Sequence, residues 1–137
     1  MKFAVGQRKI NIDDLRDFEK DSLFAHAGNK AQEYVNELVE NSICLHLVNE
    51  KDELLATAGI IPKPEKVGYL WMMVSNAPLS CYGFSKKILS GFWHLINHVD
   101  LVELETQMDP NFPQGIRLIE WLGFTKTTGD LYSRRIN

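Results

Sequence analysis

The sequence predicts a single α/β domain over residues 1–137, with a mixed central sheet of about six to seven strands flanked by about four helices. Three observations predict it. Stretches with apolar residues at helical spacing are interleaved with stretches in which they alternate. Two pairs of strand-like runs are joined by short polar turns, which makes part of the sheet antiparallel. At 137 residues and 45 % apolar content, the chain is long enough to bury one core without metal or disulfide staples.

The elements follow in order. KFAVG (2–6) is a short apolar run, expected as the first strand. In IDDLRDFEKDSLFAHA, Ile12, Leu15, Phe18 and Leu23 fall near helical spacing, with Asp13 and Asp14 in the first turn, where the helix dipole favours carboxylates. KAQEYVNELVEN repeats the pattern through Ala31, Tyr34, Val35, Leu38 and Val39. The period then drops to two. Ile43, Leu45 and Leu47 alternate with Cys44, His46 and Val48, and NEKDE turns the chain into LLATAGIIP, a hairpin. PKPEK (62–66) connects to VGYLWMMVS, a third consecutive strand, in which Trp71, Met72 and Met73 read as core. From Phe84, residues Ile88, Leu89, Phe92, Trp93 and Ile96 form one wide helical face. LVELET (101–106) is a strand that sends Glu103 and Glu105 to one side and Val102, Leu104 and Thr106 to the other. In PQGIRLIEWLGF (113–124), Pro113 suits a first helical turn, and Gly123 is the expected stop at positive φ, with Phe124 entering the core. FTKT, TGD and LYSRRI close the chain as a last hairpin.

Composition narrows the function classes. A net charge of −3 gives no broad electrostatic footprint for nucleic acid, and the Lys86-Lys87 and Arg134-Arg135 pairs read as solvated surface. No apolar run approaches membrane-spanning length, and Met1 leads into KFAVGQRKIN without a signal-like apolar segment. Cys44 and Cys81 lack a CxxC spacing, so reduced thiols in a cytoplasmic protein are expected, with no metal site and no disulfide. His94 and His98 share a helical face, but without a third ligand they read as a solvated pair.

SCYGFSKKIL (80–89) places a glycine-containing turn at the mouth of a helix. It suits either an ordinary strand-to-helix connection or an anion cradle of backbone N–H groups, which needs no side chain. In this segment and in GIRLIEWLGF the chain resembles, over its whole length, the GNAT superfamily of N-acetyltransferases. The acyl-CoA loop of that family reads Q/R-x-x-G-x-G/A. Here Ser80 stands at the Gln/Arg position, Gly83 on the first glycine and Ser85 at the Gly/Ala position, followed by Ile88 and Leu89. The second landmark, A-x-x-L-Y-x-x-x-G-F, is met by Gly115, Leu118, Ile119, Gly123 and Phe124. The chain is also similar to GNAT-like proteins of tailed bacteriophages.

The resemblance implies a GNAT-like fold and acetyl-CoA as co-substrate for N-acyl transfer to an amine. It implies cofactor binding by Ser80, Cys81, Tyr82, Gly83, Phe84 and Ser85, with the pantetheine arm pairing with the main chain of Met73 and Val74 where this strand splays from strand 101–106. Two departures bear on catalysis: VGYLWMMVS has no carboxylate, and the family's tyrosine is Ile119 here. Substitute catalytic groups are Glu103, Glu105 and Tyr82, with His46 as a further candidate. Each has a plainer reading. The glutamates face solvent or pair with lysine, His46 is a partly exposed strand residue, and Tyr82 is a surface aromatic. Cys81 lacks the His/Asn partners of a nucleophile. The expected partners are acetyl-CoA with an amine acceptor. The alternative is a catalytically inactive phage protein that binds a host or virion protein. Neither nucleic acid nor membrane is expected, and a homodimer is allowed.

Overall fold

The computed structural model describes residues 2–5, 8–76 and 84–137. Among the described residues, seven strands form one sheet: β1 (Lys2–Val5), β2 (Ile43–Val48), β3 (Leu54–Lys63), β4 (Val67–Val74), β5 (Glu103–Gln107), β6 (Thr125–Lys126) and β7 (Leu131–Arg135). Their spatial order is β1-β2-β3-β4-β5-β7-β6. Every neighbouring pair is antiparallel except β4 and β5, which run parallel. A parallel pair needs a crossover, and α3 (Phe84–Asn97) lies in the segment that makes it. The other helices are α1 (Asp17–Ala27), α2 (Ala31–Glu40) and α4 (Pro113–Trp121). This is the mixed α/β architecture expected from the sequence.

Helices cover both faces of the sheet. Leu23 of α1 and Ala31, Val35 and Leu38 of α2 pack with Trp71 and Met73 of β4. On the opposite face, Phe92 and Ile96 of α3, Ile119 of α4 and Leu122 just after it pack with Leu45, Leu70 and Leu104. Double coverage corrects one reading. His46 is 1 % exposed, not a partly exposed strand residue, and its Nδ1 lies 2.7 Å from Thr57 Oγ1 on β3. From Cys44 to Val48 both alternating sets of β2 are buried because each meets a helical layer, while Ile43 at the strand's start is 41 % exposed.

Two boundaries and the burial of one residue differ from the sequence reading. The first helix starts at Asp17, not near Ile12. Residues Ile12–Asp14 form only a 3₁₀ turn, capped by Asn11 Oδ1 accepting from the Asp13 N–H at 3.0 Å. Leu15 is then extended and bridges Ser75, while the Arg16 N–H donates to the Val74 carbonyl at 3.1 Å. Pairing with the end of β4 therefore overrides local helical periodicity. β3 runs on past Pro62, the last residue of LLATAGIIP, to Lys63, which the sequence reading gave to the connection. Pro62 opposes Gly68, and the Ser75-to-Leu55 bond sets an alternation that turns residue 62 away from β4, so its missing N–H costs no ladder bond. On α3, Trp93 is 44 % exposed, and the Arg134 guanidinium lies 5.1 Å above its ring.

The expected helix stop is present. Gly123 has φ +93°, the Gly123 and Phe124 N–H groups donate to the Glu120 and Ile119 carbonyls, and Phe124 is 2 % exposed. A Cβ at Gly123 would meet the Arg134 guanidinium at 3.2 Å, where that side chain donates to the Leu122 carbonyl. Gly123→Val should therefore destabilise the fold by about 1 kcal/mol or more, from left-handed strain and displacement of Arg134. Denaturant unfolding of the two proteins measures it.

Candidate functional site

β4 and β5 stay together over only three residues each, Val67–Tyr69 against Glu103–Glu105. Beyond them β5 continues beside β7, β4 continues beside β3, and a V opens between β4 and β5. The vertex is pinned by Thr106, 5 % exposed, whose Oγ1 donates to the Leu70 carbonyl at 2.9 Å.

Alternation decides which backbone groups face the V. The Ser75 N–H donates to the Leu55 carbonyl at 2.9 Å, so odd-numbered residues of β4 bond to β3, and Leu70, Met72 and Val74 turn the other way. Two of these groups are taken: the Leu70 carbonyl by Thr106 and the Val74 carbonyl by Arg16. The N–H and C=O of Met72 face the V, where no strand among the described residues lies beside them. Of the expected cofactor contacts, the main chain of Met73 is thus committed to Thr57 on β3, and Val74 faces the V. An apolar cavity of about 60 Å³ lies beside Met72, between Ala58 and Leu70 on the strands and Ile88, Gly91 and Phe92 on α3.

Residues 14–19 and Phe112 meet at the far end of the V. The Asn76 N–H donates to the Asp14 carbonyl at 2.8 Å. Phe18 stacks on Phe112 at 4.0 Å between ring centroids, and the Arg16 guanidinium lies 5.6 Å from the Phe112 centroid while gripping Glu19 through two hydrogen bonds of 2.7 and 2.5 Å. This clasp ties α1 to the start of α4. Nothing in the sequence flagged it, because its members lie about a hundred residues apart.

The expected catalytic residues divide. Ser80, Cys81, Tyr82 and Gly83 lie outside the described residues, and Phe84 and Ser85 are the first two residues of α3. Glu103 and Glu105 share a face, as alternation required, but sit in the paired part of β5, and Glu105 is bonded to Lys63 Nζ at 2.9 Å. His94 and His98 stack at 4.3 Å on the exposed surface of α3, and among the described residues no group of three or more His, Cys, Asp or Glu is placed to hold a metal ion. Cys44 is 7 % exposed, and burial pushes its thiol up to about 11.

Sequence reasoning passed over Tyr69 because only carboxylates were sought on this strand. Tyr69 is the last residue of β4 paired with β5, and it shares a face with Trp71 and Met73. Burial raises its phenol pKa, the nearby Tyr34 and Asp130 add to the rise, and a hydrogen bond from the Gln107 backbone opposes it. The usable signal was alternation: residues 69, 71 and 73 share a face, and only 69 carries a titratable group.

Solved structures with this fold are acetyltransferases by description. An aminoglycoside 6'-N-acetyltransferase complexed with coenzyme A matches with a TM-score of 0.71 at 14 % identity, over 98 % of this chain and 97 % of that one. An acetyltransferase of the GNAT family from Staphylococcus aureus matches with a TM-score of 0.70 at 12 % identity, over 99 % of this chain and 100 % of that one. A spermidine N-acetyltransferase from Vibrio cholerae matches with a TM-score of 0.62 at 10 % identity, over 99 % and 94 %. The chain therefore has the fold of the GNAT acetyltransferases. No protein-family model and no curated protein matches the sequence. No helix among the described residues is long and apolar enough to cross a membrane.

The buried thiol gives a direct check on this geometry. In a Cys81→Ser variant, a thiol reagent at mildly alkaline pH should modify no cysteine until the chain is unfolded, because Cys44 is both covered and protonated there. Rapid labelling of the folded variant would show that the sheet face under α2 is open.

Proposed function

We propose that the chain transfers an acetyl group from acetyl-CoA to a primary amine. The observation that carries this reading is the open edge of β4 at Met72, in a V between parallel strands whose connecting segment holds α3. An arm containing amides can pair with such an edge as an added strand does, main chain to main chain. The diphosphate of the same molecule then falls at the start of α3, where unpaired N–H groups and the helix dipole favour an anion. The sequence register supports this placement, with Gly83 and Ser85 at the small-residue positions of the acyl-CoA loop. The aminoglycoside and spermidine acetyltransferases among the structural neighbours support the class of chemistry.

The ammonium group of the acceptor must lose a proton before its nitrogen can attack. With no carboxylate on β4, we assign that proton to a water chain leading to Glu103 and Glu105, which lie on the same face as Tyr69. One observation favours a second reading, a chain that keeps the fold and binds a host or virion protein. Ile119, at the family's tyrosine position, is 5 % exposed and apolar, so α4 offers no hydroxyl there.

Calorimetry with acetyl-CoA separates the two. Binding is expected, and Gly83→Val should weaken it by about 1–3 kcal/mol by crowding the backbone against the diphosphate. No heat at near-millimolar acetyl-CoA, with no thermal shift, would leave the binding-protein reading.

A further inference from the structure

We infer that His94 and His98 chelate one late first-row divalent cation, Cu²⁺ above Zn²⁺, at the C-terminal end of α3, an assignment independent of the acetyl-transfer reading. The two residues are four apart, so they rise from one face of the helix. Both are exposed, and their rings lie 4.3 Å apart between centroids at an interplanar angle of 34°. The backbone explains how the pair is held. α3 ends at Asn97, and the His98 N–H donates to the Leu95 carbonyl at 3.1 Å, closing a tighter turn than the helix proper. That N–H passes over the His94 carbonyl, one of the orphan acceptors of a helix end, and the His98 ring takes it instead, with Nδ1 2.8 Å away. A carbonyl only accepts, so Nδ1 carries the proton and the lone pair sits on Nε2. Metal-ligating histidines are oriented in this way, by donating the other ring N–H to a carbonyl.

The chemistry of the pair selects the ion. Neutral imidazole suits Cu²⁺, Ni²⁺ and Zn²⁺ and offers little to Mg²⁺ or Ca²⁺, which take oxygen ligands. α3 carries no Asp or Glu, and Asp100 beyond its end is bonded to Lys66 Nζ at 3.2 Å, so ring nitrogen sets the preference. The sequence reading left the pair solvated for want of a third protein ligand, but a chelate needs only two. A tetragonal Cu²⁺ takes its other positions from water, which reaches both exposed residues. Once one ring holds the ion, the second binds it intramolecularly, so the pair exceeds either ring alone. The negative end of the helix dipole lies here and favours a cation. A bound ion staples residue 94 to residue 98 across the end of α3, and it stabilises the folded chain in step with its occupancy. Trp93, exposed and one residue away, reports the ion because Cu²⁺ quenches indole fluorescence.

The test is calorimetry on the full chain with CuCl₂, ZnCl₂ and MgCl₂ in turn, with electron spin resonance and tryptophan fluorescence on the Cu²⁺ samples. The wild type should take up one Cu²⁺ at this site, bind Zn²⁺ more weakly and give no heat with Mg²⁺. The resonance spectrum should show Cu²⁺ coupled to two imidazole nitrogens. His94→Asn and His98→Asn should each weaken Cu²⁺ binding by about tenfold or more, since either leaves a single ring. Both positions are exposed, so these variants should melt as the ion-free wild type does. In the double variant the two-nitrogen signal and the quenching should vanish, and Cu²⁺ should no longer raise the melting temperature. A double variant that binds Cu²⁺ as the wild type does overturns the inference. So does a single coupled nitrogen, Mg²⁺ bound as tightly as Cu²⁺, or a wild type that takes up no Cu²⁺.

Discussion

The parting of β4 from β5 is the constraint on which the rest of the site depends. Parallel strands joined through a helix must separate somewhere if that helix is to pack on their sheet. Here separation begins three residues into the pair. A buried backbone group without a partner costs about 1–3 kcal/mol, so a V in the middle of a covered sheet is stable only where its edges are satisfied or wet. The chain satisfies two of them itself: Thr106 takes the Leu70 carbonyl, and the Arg16 N–H takes the Val74 carbonyl. The N–H and C=O of Met72 have no strand beside them among the described residues, and a ligand that presents amide groups can pair with them.

Rigid elements position every part of this arrangement. β4 is fixed on its other side by eight register pairs with β3, and Trp71 locks the register by lying over Gly59, where a Cβ would come within 2.5 Å of its ring. The Trp71 Nε1–H donates to Ser42 Oγ at 2.7 Å, which ties β4 to the end of α2. At the open end, the Phe18–Phe112 stack and the Arg16–Glu19 pair join the segment before α1 to the segment before α4. The two layers of helices are thus connected through the mouth of the V as well as through the sheet.

Much of the fold was legible because its signals are local. Alternation marked the strands from Ile43 to Val74, Pro113 marked the start of α4, and Gly123 marked its stop. The failures share one cause, which is tertiary pairing. Ile12 and Leu15 fit a helix until the backbone of residues 14–16 is claimed by β4, and Lys63 read as connection until it proved to pair with Val67. The site was less legible. The splay itself followed from the family resemblance, but which of Met72 and Met73 faces it depends on hydrogen-bond phase, which a sequence does not carry. Tyr69 was visible as a residue, but its position at the last β4–β5 pair depends on where the two strands part, which a sequence does not carry.

The central claim is that the backbone of Met72 is the free edge that acetyl-CoA completes. Amide hydrogen exchange, resolved by residue with and without acetyl-CoA, tests it most directly. The Met73 N–H, bonded to β3, should exchange slowly in both states. The Met72 N–H should exchange fast in the free protein and become protected when acetyl-CoA binds. Equal protection of Met72 in the two states, with binding shown by calorimetry in the same sample, would contradict the account.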